Sequence, residues 1–271
     1  MMKLRDWTKS FAEDLWLKPD KVGAEEAAFL KAVLHLRRGQ SVLDAPCGAG
    51  RIAIHLARAG CIVTGLDLRS SFIKRATDRF RRERQKGRFL AMDLRDLSFA
   101  GEFHAIYSWS GSFGYFPDSE NLDVIKRYAR ALRKGGRLLI DQPNRESLLR
   151  HFMTMRRNGN VTMRNRWNAH TRRVDSDWVV ERNGKREHNG MSIRLYTPAQ
   201  LRRLFQDVGL TIEALYGSSN GDSYERSSRR LIVVETAGSD FQISICRERR
   251  CQGKLKFESL TLPLFLPLFE I

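Results

Sequence analysis

An α/β fold with a doubly wound, mostly parallel sheet is predicted by three features of the sequence. Short apolar strands alternate with helical stretches between residues 41 and 141, a glycine-rich turn follows the first strand, and the periodicity changes from helical to alternating after Pro143-Asn144. Strands separated by helices pair in parallel through right-handed crossovers, whereas strands joined by tight turns pair antiparallel.

Residues 1–40 read as a helical cap. Phe11, Leu15, Val22, Ala27, Leu30, Val33 and Leu34 recur near helical spacing, Pro19-Asp20 interrupts them and Gly39 stops them. Strand Ser41–Asp44, helix Arg51–Ala59, strand Cys61–Asp67, helix Ser71–Gln85 and strand Phe89–Asp93 follow, punctuated by Gly60 and Gly87. Strand Phe103–Trp109, helix Ser119–Leu132, the turn Lys134-Gly135-Gly136 and strand Arg137–Asp141 complete this run. Beyond it, Val161–Trp167, Arg173–Val180 and Met191–Tyr196 alternate, with Asn183-Gly184 and Asn189-Gly190 as turns. That pattern predicts an inserted antiparallel sheet of two or three strands at 160–196. Thr197-Pro198 opens a helix to Asp207, Gly209 ends it, and Leu210–Tyr216 and Arg230–Glu235 add the last strands. The main domain is expected to span 41–236. Residues 237–271 read as a disordered or unrelated tail whose apolar end, broken by Pro263 and Pro267, is too short to span a membrane.

With 271 residues the chain suffices for one α/β domain plus an insertion. Met1–Trp7 contains no apolar run of secretory length, and no segment reaches the roughly 20 apolar residues of a spanning helix. A soluble, cytoplasmic protein is therefore expected, without a membrane partner. Cys47, Cys61, Cys246 and Cys251 lack paired C-x-x-C spacing, so neither a metal site nor a disulfide framework is expected. The formal net charge of +17 favours polyanionic partners. Its arrangement tempers this: the run Lys74–Arg88 falls on the solvent face of a helix, and Asp175, Asp177 and Glu181 interrupt the stretch Arg145–Arg186.

Asp44 stands at the exit of the first strand, before the turn Ala45-Pro46-Cys47-Gly48-Ala49-Gly50 and the helix opening at Arg51. In a dinucleotide site such glycines bring backbone N–H groups to a pyrophosphate, which Asp44 would repel. An ammonium and a sulfonium suit that carboxylate, and a carboxylate suits the helix start. S-adenosylmethionine (SAM) carries all three groups and is the expected cofactor. Asp67, ending the second strand, is placed to accept both ribose hydroxyls. Asp93, ending the third, is placed to accept the adenine amino hydrogens while Met92 and Leu94 flank the ring. Cofactor contacts are expected from Asp44, Cys47, Gly48, Gly50, Arg51, Asp67, Leu68, Met92, Asp93, Leu94 and Ser108. The fourth strand delivers Ser108–Phe116 to the same edge. Trp109, Phe113 and Tyr115, with Gln142 and Asn144, are expected to wall an acceptor pocket. Trp7, Phe11 and Trp16 read either as a lid or as core residues. Tyr115, Asp141 and His170 are candidates for a general base, but each reads more readily as a packing, cap or surface residue, and none is assigned as catalytic.

Through Asp44–Gly50, Asp67 and Asp93, residues 5–236 resemble the class I SAM-dependent methyltransferases. The resemblance implies a seven-stranded Rossmann-like sheet and SAM as methyl donor. The Ser112–Phe116 loop, the Leu195-Tyr196-Thr197-Pro198 helix entry and the inserted strands are similar to a small-molecule subgroup that includes sugar N,N-dimethyltransferases. Lys134-Gly135-Gly136 departs from the usual proline-glycine-glycine, and the tail has no counterpart. The expected reaction is methyl transfer to a nitrogen or oxygen of a small metabolite. Action on RNA or protein, or a non-catalytic SAM-binding subunit, are the alternatives. Base N6 methylation is disfavoured, because Ser108-Trp109-Ser110-Gly111 stands where the related nucleic-acid enzymes have Asn or Asp followed by Pro-Pro and an aromatic. Pyrimidine C5 methylation needs a thiolate near the fourth or fifth strand, and Cys47 and Cys61 stand elsewhere.

Overall fold

The computed structural model describes residues 20–238. The first half of the expected cap, with Trp7, Phe11 and Trp16, and the tail from residue 239, with Cys246 and Cys251, lie outside the described residues. α1 (Asp20–Val33) precedes the sheet, and the alternation then runs β1 (Ser41–Asp44), α2 (Ala53–Arg58), β2 (Ile62–Asp67), α3 (Ser70–Arg82) and β3 (Gly87–Ala91). It continues with β4 (Phe103–Ser108), α4 (Asp118–Ala131) and β5 (Leu132–Pro143). After the short α5 (Arg145–Arg150) come β6 (Met155–Asn158), β7 (Val161–Asn168), β8 (Arg173–Arg182) and β9 (Lys185–Arg194). α6 (Pro198–Gln206), β10 (Leu210–Tyr216) and β11 (Arg230–Ala237) complete the fold.

The main sheet has seven strands in the order β10-β11-β5-β4-β1-β2-β3. β1 to β5 run parallel, and β11 lies antiparallel between β5 and β10. From β1 the chain steps outward to β2 and β3, then returns to place β4 on the other side of β1. That reversal opens a crevice at the carboxyl ends of β1 and β4, where ligands of open α/β sheets bind. Helices cover both faces. Leu30 of α1 and Ile54 and Leu56 of α2 pack over Val42 and Val63, whereas Ile125 and Tyr128 of α4 and Phe205 of α6 pack over Leu43, Ile106 and Ile140. Neighbours such as Val42 and Leu43 enter opposite cores because strand side chains alternate.

α6 begins where Thr197-Pro198 places it. The Thr197 hydroxyl accepts the Gln200 N–H at 3.3 Å and the Gln200 side chain accepts the Thr197 N–H at 3.0 Å. Such a capping box is worth about 1 kcal/mol. Elsewhere the structure departs from expectation. β3 ends at Ala91, so Asp93 lies past the strand, where it caps a single 3-10 turn at Leu94–Asp96. The insertion is a four-stranded sheet, β6-β7-β8-β9, and begins at Met155. Asn183-Gly184 is its turn, with φ of 49° and 71°. Asn189-Gly190 is not a turn: both residues lie in β9, opposite Trp178 and Asp177. Turn-forming residues there are overridden by the long β8–β9 ladder and by burial of Asn189. Among the described residues, no helix is long and apolar enough to cross a membrane.

Candidate active site

The glycine-rich turn leaves β1 at the crevice. Gly48 and Gly50 have φ of 51° and 70°, backbone that L side chains avoid. A Cβ at Gly50 would stand 3.1 Å from Cβ of Ala76, so glycine lets the turn rest on α3. At Gly48 nothing stands within 4 Å of the missing Cβ, and the turn is open to a ligand. Opposite it, Asp67 Oδ2 accepts the Gly48 N–H at 3.0 Å and Oδ1 accepts the Arg69 N–H at 2.9 Å. The carboxylate that ends β2 thereby fixes the turn.

Asp44 is buried, and burial pushes its carboxyl up to about 8. The Tyr107 hydroxyl and the Arg51 guanidinium oppose that rise, while the charges of Asp67 and Glu26 add to it. A cation seated here would restore the ionised form, as an ammonium or sulfonium does and a pyrophosphate does not. Arg51 forms an ion pair with Glu26 of α1. α1 comes close enough because residue 23 is glycine, where a Cβ would stand 2.8 Å from the Arg51 carbonyl oxygen. Glu26 and Tyr107 escaped the sequence reading. Glu26 carries a signal nonetheless: it is an acid on the buried stripe Gly23, Ala27, Leu30 and Val33 of α1. The Cys47 thiol is raised well above its usual range by burial, then by the charges of Asp44 and Asp67, and is no nucleophile.

Asp93 is held below the ordinary carboxylate range: burial would raise it, but Arg95 overrides that effect. Its Oδ1 accepts the Arg95 N–H at 2.9 Å and Nε at 3.0 Å, and its Oδ2 accepts Nη2 at 2.7 Å. Arg95 also reaches Glu120 at 2.8 Å and lies 4.5 Å over the Phe116 ring. Met92 is half-buried and donates its N–H to the Asp67 carbonyl at 2.9 Å; Leu94 is buried and Leu68 exposed. Ser108 is enclosed beside the Tyr128 hydroxyl, in the core rather than on the site's surface.

Residues expected to wall a pocket have other tasks in several cases. Gln142 is buried with both ends on Tyr196: its Nε2 donates to the carbonyl at 2.5 Å and its Oε1 accepts the N–H at 3.3 Å. Asn144 donates to the Ser228 and Arg226 carbonyls at 2.7 and 3.1 Å while its Oδ1 caps α5, so it organises the loop before β11. Phe113 packs on Tyr196 in the α4–α6 core. Trp109 packs against Phe29 of α1 beneath Arg230, and its indole N–H is buried without an acceptor. Tyr115 is half-buried where the main core meets the insertion. Burial raises its phenol to about 12, Ser112 offsets this in part and Asp67 adds to it. Among the candidate bases, Asp141 is consumed: Oδ1 accepts Arg230 Nε at 2.8 Å and Oδ2 accepts the Ser110 N–H at 2.7 Å. His170 is exposed in the β7–β8 turn.

Two arginines that the sequence reading passed over bind the β4–α4 loop to the insertion. Arg173 Nη1 donates to the Phe116 carbonyl at 2.9 Å, and Nη2 to those of Tyr115 and Gly114 at 2.8 and 3.1 Å. Arg194 pairs with Asp118 at 3.0 Å, stacks on Tyr196 and donates its backbone N–H to the Gly114 carbonyl at 2.8 Å. A Cβ at Gly114, where φ is 104°, would stand 2.3 Å from the Arg194 carbonyl oxygen, so this contact requires glycine. The alternating pattern of β8 and β9 hid both arginines among exposed ones.

A family model described as a methyltransferase domain matches residues 42–136. Human glycine N-methyltransferase is 31% identical over 143 residues, 46% of this chain and 48% of that protein. This chain spans less than half the length of the curated relatives it matches first. The CcbJ methyltransferase of Streptomyces caelestis has the same fold, with a TM-score of 0.71 at 16% identity over 83% of this chain and 98% of that one. The sugar N-methyltransferase KedS8 of Streptoalloteichus superposes with a TM-score of 0.60 at 20% identity over 80% and 88%. The chain thus shares the fold of these methyltransferase structures, and its residues 42–136, which hold the open glycine turn and the carboxylate ending β2, are similar to the methyltransferase-domain family.

Proposed function

We propose that this protein is a SAM-dependent methyltransferase that methylates a nitrogen or oxygen of a small metabolite. One observation carries the reading: the glycine turn is flanked by the carboxyl groups of Asp44 and Asp67, while the nearby cation, Arg51, is paired with Glu26 instead of being offered to a phosphate. SAM supplies an electrophilic methyl on a sulfonium. The residues at hand fit it: Gly48 leaves room, Asp67 accepts ribose hydroxyls, Asp44 faces the cationic amino-acid end, and Met92 and Leu94 flank the base. Asp93, set by Arg95, takes the adenine amino group on a carboxylate that is kept ionised.

The chain contributes mainly alignment, since methyl displacement is in-line and gains most from position. The β4–α4 loop is propped at Ser110 by Asp141 and at residues 114–116 by Arg173, which fixes the backbone that carries Tyr115. A phenol raised to about 12 keeps its proton at neutral pH, so Tyr115 orients the acceptor by hydrogen bonding rather than removing a proton. An amine acceptor meets that condition by arriving neutral. The names of relatives that act on glycine and on a sugar support a small acceptor.

Calorimetry with SAM and its demethylated product should give binding, and Asp67→Ala should weaken it by about 1–3 kcal/mol. Methyl-labelled SAM incubated with a metabolite extract, with and without RNA, should then leave label in small molecules. Label in RNA or protein would transfer the reading to a macromolecular substrate, binding without any labelled product would make this a SAM-binding subunit, and absence of binding would sink the assignment.

A further inference from the structure

Four arginines neighbour one another at the carboxyl edge beside β5, Arg145 within reach of the charges of Arg172 and Arg194, and Arg173 of that of Arg194. Arg145 follows the end of β5, Arg172 and Arg173 stand at the tip of the β7–β8 hairpin, and Arg194 ends β9. Arg173 and Arg194 are direct partners in the β8–β9 ladder. The Arg172 carbonyl accepts the Leu195 N–H at 3.2 Å, and Arg145 Nη1 reaches Gln200 Oε1 at 3.5 Å, so the segment 194–200 is a shelf common to all four.

Two of the four are committed. Arg194 is buried on Asp118, and Arg173 spends its donors on backbone carbonyls and Ser192. The other two are not. Among the described residues no carboxylate lies within ion-pairing distance of Arg145 or Arg172, and the neighbouring Glu146 faces Arg226 at 3.9 Å instead. The amide oxygen at 3.5 Å is a marginal acceptor for a guanidinium fork that offers five donors. Burial, then the charges of Arg194 and Arg172, hold the Arg145 guanidinium below its ordinary range, with Glu146 and Tyr224 offsetting part of the effect. A half-buried cation facing like charges lacks its counter-ion.

We propose that Arg145 and Arg172 form an anion subsite, and that the methyl acceptor carries the carboxylate or phosphate group that fills it. A guanidinium fork matches either group bidentately, and Arg173 and Arg194 behind it raise the local potential. The identity of the ligand as acceptor rests on the methyltransferase reading; the existence of the site does not.

The test uses the full chain and an arginine-selective dicarbonyl reagent, phenylglyoxal, with labelling at each arginine followed by peptide mass mapping. Inorganic phosphate, against chloride at equal ionic strength, should slow labelling of Arg145 and Arg172 about tenfold. Exposed Arg164, on the outer face of β7, should be unaffected. Arg172→Gln, at an exposed hairpin tip and so without burden on the fold, should abolish the protection of Arg145. Absence of protection, or equal protection of Arg164, would overturn the site.

A second arm separates acceptor from free phosphate. Labelled product made from a metabolite extract should be retained on an anion-exchange column and should fall about tenfold with Arg172→Gln. Label confined to the unretained fraction, despite phosphate protection, would overturn the acceptor assignment. Loss of SAM binding in calorimetry would defeat the methyltransferase reading while the protection data still judged the arginines.

Discussion

The two sides of the crevice have opposite charge and opposite construction. On the β1–β2 side, carboxylates surround a turn made by consecutive residues: Asp44, Gly48 and Gly50 lie within one strand-turn-helix unit, and Asp67 ends the next strand. On the β5 side, Arg145 from the end of β5 lies beside arginines of the insertion, of which Arg173 and Arg194 hold the β4–α4 loop by its carbonyl oxygens. In the proposed reading donor and acceptor are received by different means, a short backbone turn of neighbouring residues on one side and an assembly of distant side chains on the other. The contrast implies that damage on one side should leave the other largely intact.

The sharpest way to break this contrast is Glu26→Ala. It removes the partner of Arg51 in an ion pair that is mostly shielded from solvent, and loss of one member of such a pair costs about 3–5 kcal/mol. Urea unfolding should show that loss, together with weaker SAM binding. Replacing both members, as Glu26→Leu with Arg51→Met, should recover most of the stability.

A second test concerns a carboxyl outside both sites. Glu235 of β11 is buried with both oxygens unpartnered, and burial raises it well above its ordinary value of 4.5. The native state therefore keeps a proton that the unfolded chain releases once pH exceeds 4.5. The linkage sign follows: stability is unaffected below that pH and declines as pH rises toward the native value, by roughly 1.4 kcal/mol per pH unit. Asp44 adds the same trend from its ordinary 3.8 up to about 8. Glu235→Gln should be more stable than the parent at neutral pH and show a flatter pH dependence in thermal melts. SAM should offset the Asp44 part alone, because its cation favours the ionised form.

How far the sequence could be read follows the same division. The alternation of strands and helices, the glycine turn and the place of Asp67 at the end of β2 were legible because each depends on residues close together in the chain, where alternation, glycine and strand-end acids leave a periodic mark. The bonds of Gln142 and Asn144 were not legible, because a buried amide at a strand end looks the same whether it faces a ligand or, as with Gln142, the Tyr196 backbone. Asn189-Gly190 was misread because local turn chemistry yielded to a ten-residue strand in β9. Arg173 left no mark, since its three carbonyl partners at 114–116 lie nearly sixty positions away. Arg173→Ala would orphan those carbonyls at a cost of about 1–3 kcal/mol. Hydrogen exchange should rise in residues 111–117, while the SAM dissociation constant changes little.

The smallest effect gives the cleanest separation. Gly184 sits at the β8–β9 turn with φ of 71°, and nothing stands within 4 Å of its missing Cβ. Gly184→Ala therefore introduces backbone strain without a steric clash, worth about 1 kcal/mol. The strain falls at the far end of the insertion, away from the arginines that close against Gly114. Thermal melting should drop by a few degrees while SAM binding stays at the parental value. A parallel loss of SAM affinity would show that insertion and glycine turn fold as one cooperative unit, and the proposed independence of the two sides would have to be abandoned.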